Sequence, residues 1–252
     1  MILVAGLTPA WQQITVLNQL RVGEVNRARE VHWCASGKVL NVGLALTQLG
    51  ADVRTLSFIG SGAAGEATRR DMEELGVDVR WVESSARQRV CSTLLDRESG
   101  QTTEIVENSS AASDVEILAF EAAFSDEAAQ SKAQLLVLSG SLPTGTAKDF
   151  FATLLSRVRM PTILDIRGEE MLAALPHRPL VVKPNREELG HTVRRELITD
   201  DDVWQAMSEI NAHGAEWVVV TNGGNEVFAS RLEERLRYQP PRVNVVNPIG
   251  CG

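Results

Sequence analysis

Two patterns of apolar and polar positions alternate along this chain, and they predict alternating strands and helices. Residues 2–7 and 133–139 are short runs rich in aliphatic side chains, which is typical of strands buried on both faces. Residues 38–49 place their apolar side chains near helical spacing, and Gly50 follows where such a helix would end. This alternation predicts a single three-layer α/β domain, residues 1–252, with a largely parallel sheet.

The same patterns predict the remaining elements. Strands are expected at residues 54–59, 79–82, 162–166, 180–182, 217–221 and 226–229, and helices at residues 66–75, 146–158 and 200–212. The last helix has the clearest start, because Thr199 can cap its first N–H groups and acidic residues follow in its first turn.

Two segments interrupt the alternation. Residues 11–31 and 87–106 are strand-like and lack helical periodicity. Together they predict a small antiparallel sheet that projects from the main body.

Charge and composition exclude several classes of protein. A net charge of -8 over 252 residues argues against general affinity for nucleic acid or anionic membranes. The longest apolar runs, such as residues 135–138 and 217–220, fall far short of the roughly 20 residues that a membrane-spanning helix needs. The first residues lack the features of a secretion signal, and the three cysteines are too scattered for a disulfide framework. We therefore expect a cytoplasmic protein.

Residues 60–65 match the GxGxxG pattern of dinucleotide-binding proteins. The pattern lies between a predicted strand and a predicted helix, and Glu83 follows after the next strand, so an NAD-dependent oxidoreductase is one interpretation. The other is a tight turn that needs small residues. The pattern is not at the first strand of the domain, where such a motif usually lies, and it leaves the other motifs unexplained.

The final residues carry a second glycine motif. Gly250 and Gly252 flank Cys251 after a strand-like run, and the N–H groups of a following helix would converge there on an anion. A flexible turn explains the same residues without a ligand.

Residues 183–189, KPNREEL, form a more specific motif. Asn185 and Glu188 are three positions apart and share a face on a helical turn, so they could organise Mg²⁺ and its water beside nucleotide phosphates. The same spacing is also typical of a helix-capping box with no ligand.

Three further turns offer polar or backbone groups to a ligand. Gly37, Lys38 and Asn41 lie where a small-residue turn enters a helix, although the spacing is not that of a P-loop. Ser139 begins a loop after a buried strand, and Thr221, Gly223 and Gly224 follow another. Loops at the carboxyl ends of parallel strands are common ligand sites, but each could be a simple turn.

The ordered motifs SGKVLN, SGSLPTG, KPNREEL and NPIGCG together resemble the PfkB-type carbohydrate kinases of the ribokinase-like family. The resemblance spans nearly the whole chain and is greatest to the branch that contains 1-phosphofructokinase and tagatose-6-phosphate kinase. It implies a ribokinase-like α/β/α sandwich, with residues 11–31 and 87–106 as a small β-sheet lid. It also implies transfer of the ATP γ-phosphoryl group to a sugar phosphate with Mg²⁺, and a homodimer formed through the lid.

The resemblance also assigns residues to roles. The anion hole is assigned to Gly250, Cys251 and Gly252. Metal binding, through water, is assigned to Asn185 and Glu188. Nucleotide binding is assigned to Lys183, Asn185, Glu188, Thr221, Gly223 and Gly224. Binding of the sugar phosphate is assigned to Gln12, Gly37, Lys38, Asn41, Arg89 and Ser139. A guanidinium such as that of Arg89 matches the geometry of a phosphate group.

The sequence departs from the family pattern in four places. Gln12 replaces an aspartate that accepts hydrogen bonds from sugar hydroxyls, and Ser36 and Val39 replace glycines. An aspartate usual near Gly60 is absent. The family's catalytic aspartate is expected directly after Gly252, where this sequence ends, so we expect the sequence to be incomplete and the 252 residues alone to have little kinase activity.

A hexose-phosphate kinase acting on fructose 1-phosphate or a close relative is therefore the leading hypothesis. A kinase-like protein that has lost catalysis and binds a sugar phosphate or nucleotide is the alternative, motivated by Gln12 and the Ser36–Val39 turn. An NAD-dependent oxidoreductase is third.

Overall fold

A computed structural model describes residues 1–130 and 132–243. The strands are β1 (Ile2–Gly6), β2 (Ala10–Leu17), β3 (Glu30–Ser36), β4 (Val53–Ser61), β5 (Val79–Arg87), β6 (Val90–Asp96), β7 (Thr102–Val106), β8 (Leu135–Ser139), β9 (Thr162–Asp165), β10 (Val181–Val182), β11 (Trp217–Val220), β12 (Val227–Arg231) and β13 (Glu234–Tyr238). The helices are α1 (Lys38–Gln48), α2 (Ala63–Glu74), α3 (Asp114–Gln130), α4 (Phe150–Ser156), α5 (Gly168–Ala174), α6 (Arg186–Val193) and α7 (Asp200–Ala212).

Nine strands form the main sheet, in the order β13-β12-β11-β10-β9-β8-β1-β4-β5. Seven neighbouring strands, β11-β10-β9-β8-β1-β4-β5, pair in parallel. Strands β12 and β13 extend the β11 edge as antiparallel strands. The carboxyl ends of the parallel strands therefore meet along one edge of the sheet, and the candidate site is formed there.

Both faces of the main sheet are covered. In β1, Leu3 and Ala5 join a core that includes Phe120 of α3, whereas Val4 joins a second core that includes Leu40 of α1. Because successive strand residues point to opposite faces, these two cores lie on opposite sides of the sheet. The predicted three-layer arrangement with a largely parallel sheet is confirmed.

A separate sheet, here called the small sheet, consists of β3-β2-β6-β7 in that order. The prediction that it is antiparallel is wrong in one respect, because its central strands β2 and β6 run in parallel. They do so because each continues from the carboxyl end of a parallel main-sheet strand, β1 and β5 respectively. The predicted boundary at residue 31 is also wrong, since β3 continues to Ser36 and ends directly before Gly37.

Two predicted helices have different starts in the structure. The helix expected at residues 146–158 is the shorter α4, because its first predicted residues form turns instead, closed by hydrogen bonds from the Thr146 N–H to the Pro143 oxygen and from the Phe150 N–H to the Ala147 oxygen. The helix expected from residue 66 already begins at Ala63. Gly62, with a φ of 88°, directly follows β4 and is the N-cap residue of this helix. Helices α3 and α5 and the edge strand β13 were not predicted.

In the part of the chain that the structure describes, no helix combines the length and the apolar character needed to cross a membrane.

Candidate active site

The candidate site lies at the carboxyl ends of β8, β9, β10 and β11, beside the first turns of α1 and α6. Ser139 and Asp165 are the last residues of β8 and β9, and Lys183 directly follows β10. Lys38 is the first residue of α1, and Glu188 lies in the first turn of α6. Ligands bind at this edge in open α/β sheets.

Lys38 connects the two buried carboxylates of the site. Its Nζ lies 3.1 Å from Asp165 Oδ1 and 2.9 Å from Glu188 Oε1. The residues Asp165 and Glu188 are only 8% and 7% exposed, whereas the side chain of Lys38 is 41% exposed. Lys38 was predicted on the sugar side, but its ammonium contacts Glu188, which was predicted on the nucleotide side. It therefore links the two groups of predicted residues.

Asp165 was missed by the sequence analysis, yet three predicted residues contact it. In addition to Lys38, Lys183 Nζ lies 3.5 Å from Asp165 Oδ1, and Ser139 Oγ donates to Asp165 Oδ2 at 3.3 Å. Its only sequence signal was its position as an acidic residue at the end of a buried strand.

The charges of this cluster support one another. Burial by itself lowers the pKa of Lys38, but Asp165 and Glu188 outweigh burial, and the net pKa is raised. Burial likewise opposes ionisation of Glu188, but the Asn185 N–H and the Lys38 ammonium lower its pKa below the usual value. Both side chains are therefore charged at neutral pH.

Asn185 and Glu188 form a capping box at the start of α6. Asn185 Oδ1 accepts from the Glu188 N–H at 2.7 Å, and Glu188 Oε2 accepts from the Asn185 N–H at 3.0 Å. The capping interpretation of the motif is confirmed. The cap leaves Glu188 Oε1 for Lys38, so the cap also orients this carboxylate toward the site.

The loop after β11 lies against the start of α6. Thr221 pairs with Asn185 in an isolated bridge, and the Thr221 carbonyl accepts from the Arg186 N–H at 2.9 Å. The Thr221 hydroxyl is buried and has no hydrogen-bond partner among the residues that the structure describes. A Cβ added at Gly223 or Gly224 would meet no atom of the described residues within 4 Å, so among these residues the loop is open on its outer side.

The other predicted sugar-side residues lie near the junction with the small sheet. Gly37 caps α1 with a φ of 100°, and a Cβ there would lie 2.9 Å from the Thr8 carbonyl oxygen. Asn41 is in the first turn of α1. Gln12 is buried within β2, and its Nε2 donates to Thr93 Oγ1 at 2.6 Å. This contact ties the side-chain amide of Gln12 to β6.

Arg89 lies in the connection between β5 and β6, one residue before the small sheet begins. Its guanidinium donates to the carbonyl oxygens of Thr8 at 2.8 Å, Pro9 at 3.1 Å and Glu107 at 3.2 Å. It therefore joins three of the chain segments that connect the small sheet to the main body.

Two of the three glycines in residues 60–65 are explained by close packing. A Cβ at Gly60 would lie 2.4 Å from the Gln88 nitrogen, and one at Gly65 would lie 1.9 Å from the Gly60 oxygen. Gln88, which the sequence analysis missed, accepts from the Gly60 N–H and donates to the Pro9 oxygen. Packing of Gly60 against Gln88 and of Gly65 against Gly60 accounts for two of the glycines, and a φ of 88° accounts for Gly62, so no dinucleotide is needed to explain the motif.

The predicted anion hole, Gly250, Cys251 and Gly252, lies outside the described residues.

The donor set suits a metal that keeps much of its own water. Within residues 1–130 and 132–243, no group of three or more His, Cys, Asp or Glu side chains could hold a metal ion. Asp165 and Glu188 do share one cationic partner at their buried oxygens. Mg²⁺ commonly binds through one or two carboxylates together with water and substrate phosphates, so these residues fit Mg²⁺ bound with a nucleotide.

Comparison with known proteins identifies the family of this chain. The chain belongs to the pfkB family, because the family model described as pfkB family carbohydrate kinase matches residues 2–252. Its ribokinase-like α/β/α fold follows from this match and from the structural neighbours.

Several solved structures are similar to the chain over most of its length. Phosphofructokinase-2 from Escherichia coli, in complex with substrates and products, matches with a TM-score of 0.88 and 29% identity, over 99% of this chain and 82% of that chain. The same enzyme in complex with fructose-6-phosphate matches with a TM-score of 0.85 and 29% identity, over 97% and 82% of the two chains. A protein described as a possible 1-phosphofructokinase from Thermotoga maritima has a TM-score of 0.84 at 18% identity, over 93% and 76%, and shows the fold alone.

Proposed function

We propose that this protein transfers the γ-phosphoryl group of ATP to a hydroxyl of a hexose phosphate, either fructose 1-phosphate or a close relative. The observation that carries the proposal is the charged cluster of Lys38, Asp165 and Glu188 at the carboxyl edge of the main sheet. Membership of a carbohydrate kinase family and the similarity to phosphofructokinases support it.

The nucleotide side of the proposed site comprises the start of α6 and the loop after β11. Asp165, Asn185 and Glu188 would hold Mg²⁺ through water, and the metal when bound would neutralise charge on the phosphates. Lys183 would attract the phosphates as a point charge. The buried Thr221 hydroxyl and the open backbone at Gly223 and Gly224 would face the nucleotide.

The sugar side comprises the turn into α1 and the junction with the small sheet. Gly37 and Asn41 would contact the sugar with Gln12, and Ser139 would lie beside them at the end of β8. Arg89 would bind the substrate phosphate through its guanidinium, exchanging the carbonyl oxygens that it now contacts for phosphate oxygens. The small sheet would act as the lid that excludes water from the site.

The test is ADP release by the full-length protein with ATP, Mg²⁺ and a panel of fructose 1-phosphate, fructose 6-phosphate and tagatose 6-phosphate. We expect turnover with one of them and little with the unphosphorylated sugars. If nucleotide binds but no member of the panel is phosphorylated, the kinase proposal is wrong.

A second candidate is a sensor that binds a sugar phosphate without phosphorylating it. The observation that favours it is the buried Gln12, whose amide is held by Thr93 where the family pattern has a charged carboxylate. Calorimetry together with the ADP-release assay distinguishes the sensor from the kinase, because a sensor binds sugar phosphate and releases no ADP. A protein that binds neither sugar phosphate nor nucleotide is not a sensor of this kind.

We also propose a cytoplasmic location and a homodimer formed through the small sheet. The cysteines that the structure describes, Cys34 and Cys91, are free thiols, which fits a reducing compartment.

A further inference from the structure

Lys38 occupies an unusual place for a lysine at the start of a helix. Its ammonium lies between two buried carboxylates, with one oxygen of each within 3.1 Å. These are the carboxylates that would serve a divalent cation in the proposed function. One side chain therefore already supplies positive charge at the place where a metal would bind.

The two carboxylates are held in place independently of Lys38. The Asn185 N–H binds the second oxygen of Glu188, and Ser139 Oγ binds the second oxygen of Asp165. A matching cation could therefore replace the ammonium without rearrangement of either carboxylate. Lys183, at 3.5 Å, approaches Asp165 but not Glu188 in the described contacts, so Lys38 alone bridges the pair.

Lys38 is also free to leave this position. Its side chain is partly exposed, unlike its two partners, and it extends from the first residue of α1 on a flexible four-carbon stem. A nucleotide triphosphate carries several negative charges and would compete with the carboxylates for the ammonium.

We propose that Lys38 is a built-in counterion that competes with the divalent cation for Asp165 and Glu188. Without nucleotide, the ammonium pairs with both carboxylates and keeps free metal out. When nucleotide phosphates draw the ammonium away, the pair becomes available to the metal that accompanies them. Lys38 is thus a positioning residue that makes metal binding depend on nucleotide, an inference that rests on the proposed function and extends it.

The test measures binding of Mn²⁺, a paramagnetic substitute for Mg²⁺, to the protein without nucleotide or sugar, by electron paramagnetic resonance. Lys38→Met should bind Mn²⁺ about tenfold or more tightly than the unchanged protein, because two buried carboxylates lose their shared cation. Lys38→Arg keeps the charge and should bind Mn²⁺ as weakly as the unchanged protein.

Two controls separate this effect from a general change in charge. Lys148→Met removes one positive charge from a lysine that pairs with Glu170, and it should leave Mn²⁺ affinity unchanged. Glu188→Gln added to Lys38→Met should abolish the gain. If Lys38→Met binds Mn²⁺ no more tightly than Lys148→Met, the proposal is wrong.

Folding is monitored by circular dichroism, since Lys38→Met leaves two carboxylates without their partner. Should that variant unfold, Lys38→Gln provides the same test with a neutral group that can still donate to both carboxylates, and it should bind Mn²⁺ more tightly than Lys38→Arg. Because the assay contains no nucleotide or sugar, its outcome is independent of the ADP-release assay. Failure of one proposal is therefore distinguishable from failure of the other.

Discussion

Gly65 is surrounded by backbone atoms, and its substitution separates packing from cofactor binding. Gly65→Ala would place a Cβ 1.9 Å from the Gly60 oxygen, so we expect a loss of about 1–3 kcal/mol in unfolding free energy from overpacking. Urea denaturation measures this loss. Gly224→Ala is the matched control, because its Cβ would meet no atom in the part of the chain that the structure describes, and stability should be unchanged. An unchanged stability of Gly65→Ala would contradict the packing explanation.

Glu116 gives a residue-scale prediction about pH. N–H and hydroxyl groups of Ser113 and Ser85 donate to its carboxylate and lower its pKa from 4.5 to about 2. The folded state thus favours the ionised form, and this stabilisation is complete above pH 4.5 and is lost as the pH falls toward 2.

The variant Glu116→Gln isolates this contribution. It should be less stable than the unchanged protein at neutral pH, and the difference between the two should shrink as the pH falls below 4.5. Urea denaturation at a series of pH values measures the difference. A difference in stability that does not change with pH would show that the charge of Glu116 does not contribute to the stability of the fold.

Several site residues could be predicted one by one, but their partners could not. Lys38, Lys183 and Ser139 stand in recognisable motifs, and the structure brings all three to Asp165. Asp165 and Gln88 stand in no motif. Their roles come from tertiary contacts across the sheet edge, which no local pattern of residues records.

At the scale of single elements, α6 and α7 offer a matched pair of caps. Both begin with a capping box, formed by Asn185 with Glu188 and by Thr199 with Asp202. Asn185→Ala and Thr199→Ala should each lower the unfolding free energy by about 1 kcal/mol. Only Asn185→Ala should also weaken binding of ATP with Mg²⁺, which calorimetry measures. Equal nucleotide binding by the two variants would remove Asn185 from the proposed site.

The predicted elements differ in how well local pattern determines them. Helix α7 matches its predicted bounds because its cap, acidic first turn and apolar face agree. Helix α3 was not predicted, because Val115 and Leu118 are exposed apolar residues that obscure its buried face. The parallel direction of β2 and β6 is set by the main-sheet strands that precede them, β1 and β5. The residue pattern of β2 and β6 themselves therefore does not predict the parallel pairing.

At the scale of the whole molecule, the small sheet presents apolar side chains on its outer strands. Val31 and Trp33 of β3 and Ile105 of β7 are exposed, and the pairing of the strands places all three on one face of the sheet. Trp33 also stacks on Trp11, with ring centroids 6.1 Å apart. Exposed apolar side chains that lie on one small sheet are typical of an interface, which supports the proposed homodimer.

The variant Trp33→Glu tests this dimer. A charge at the centre of a buried contact is costly, so we expect Trp33→Glu to sediment as a monomer under conditions where the unchanged protein is dimeric. Val115→Glu changes an apolar residue on α3 that is more exposed than Trp33, and it should not alter the sedimentation coefficient. A monomeric unchanged protein, or a dimeric Trp33→Glu, would exclude an interface at this sheet.

The parallel pairing of β2 with β6 also constrains how the chain folds. The β2–β3 and β6–β7 pairs are local along the chain, but the ladder that joins them brings together residues on either side of β3, α1, β4, α2 and β5. Pairing β2 with β6 closes the long loop of chain between them, which costs conformational entropy. This cost falls once the elements between β2 and β6 have folded. The small sheet should therefore assemble after β1, β4 and β5 have paired, and in pulsed hydrogen exchange during refolding the amides of the β2–β6 ladder should gain protection last.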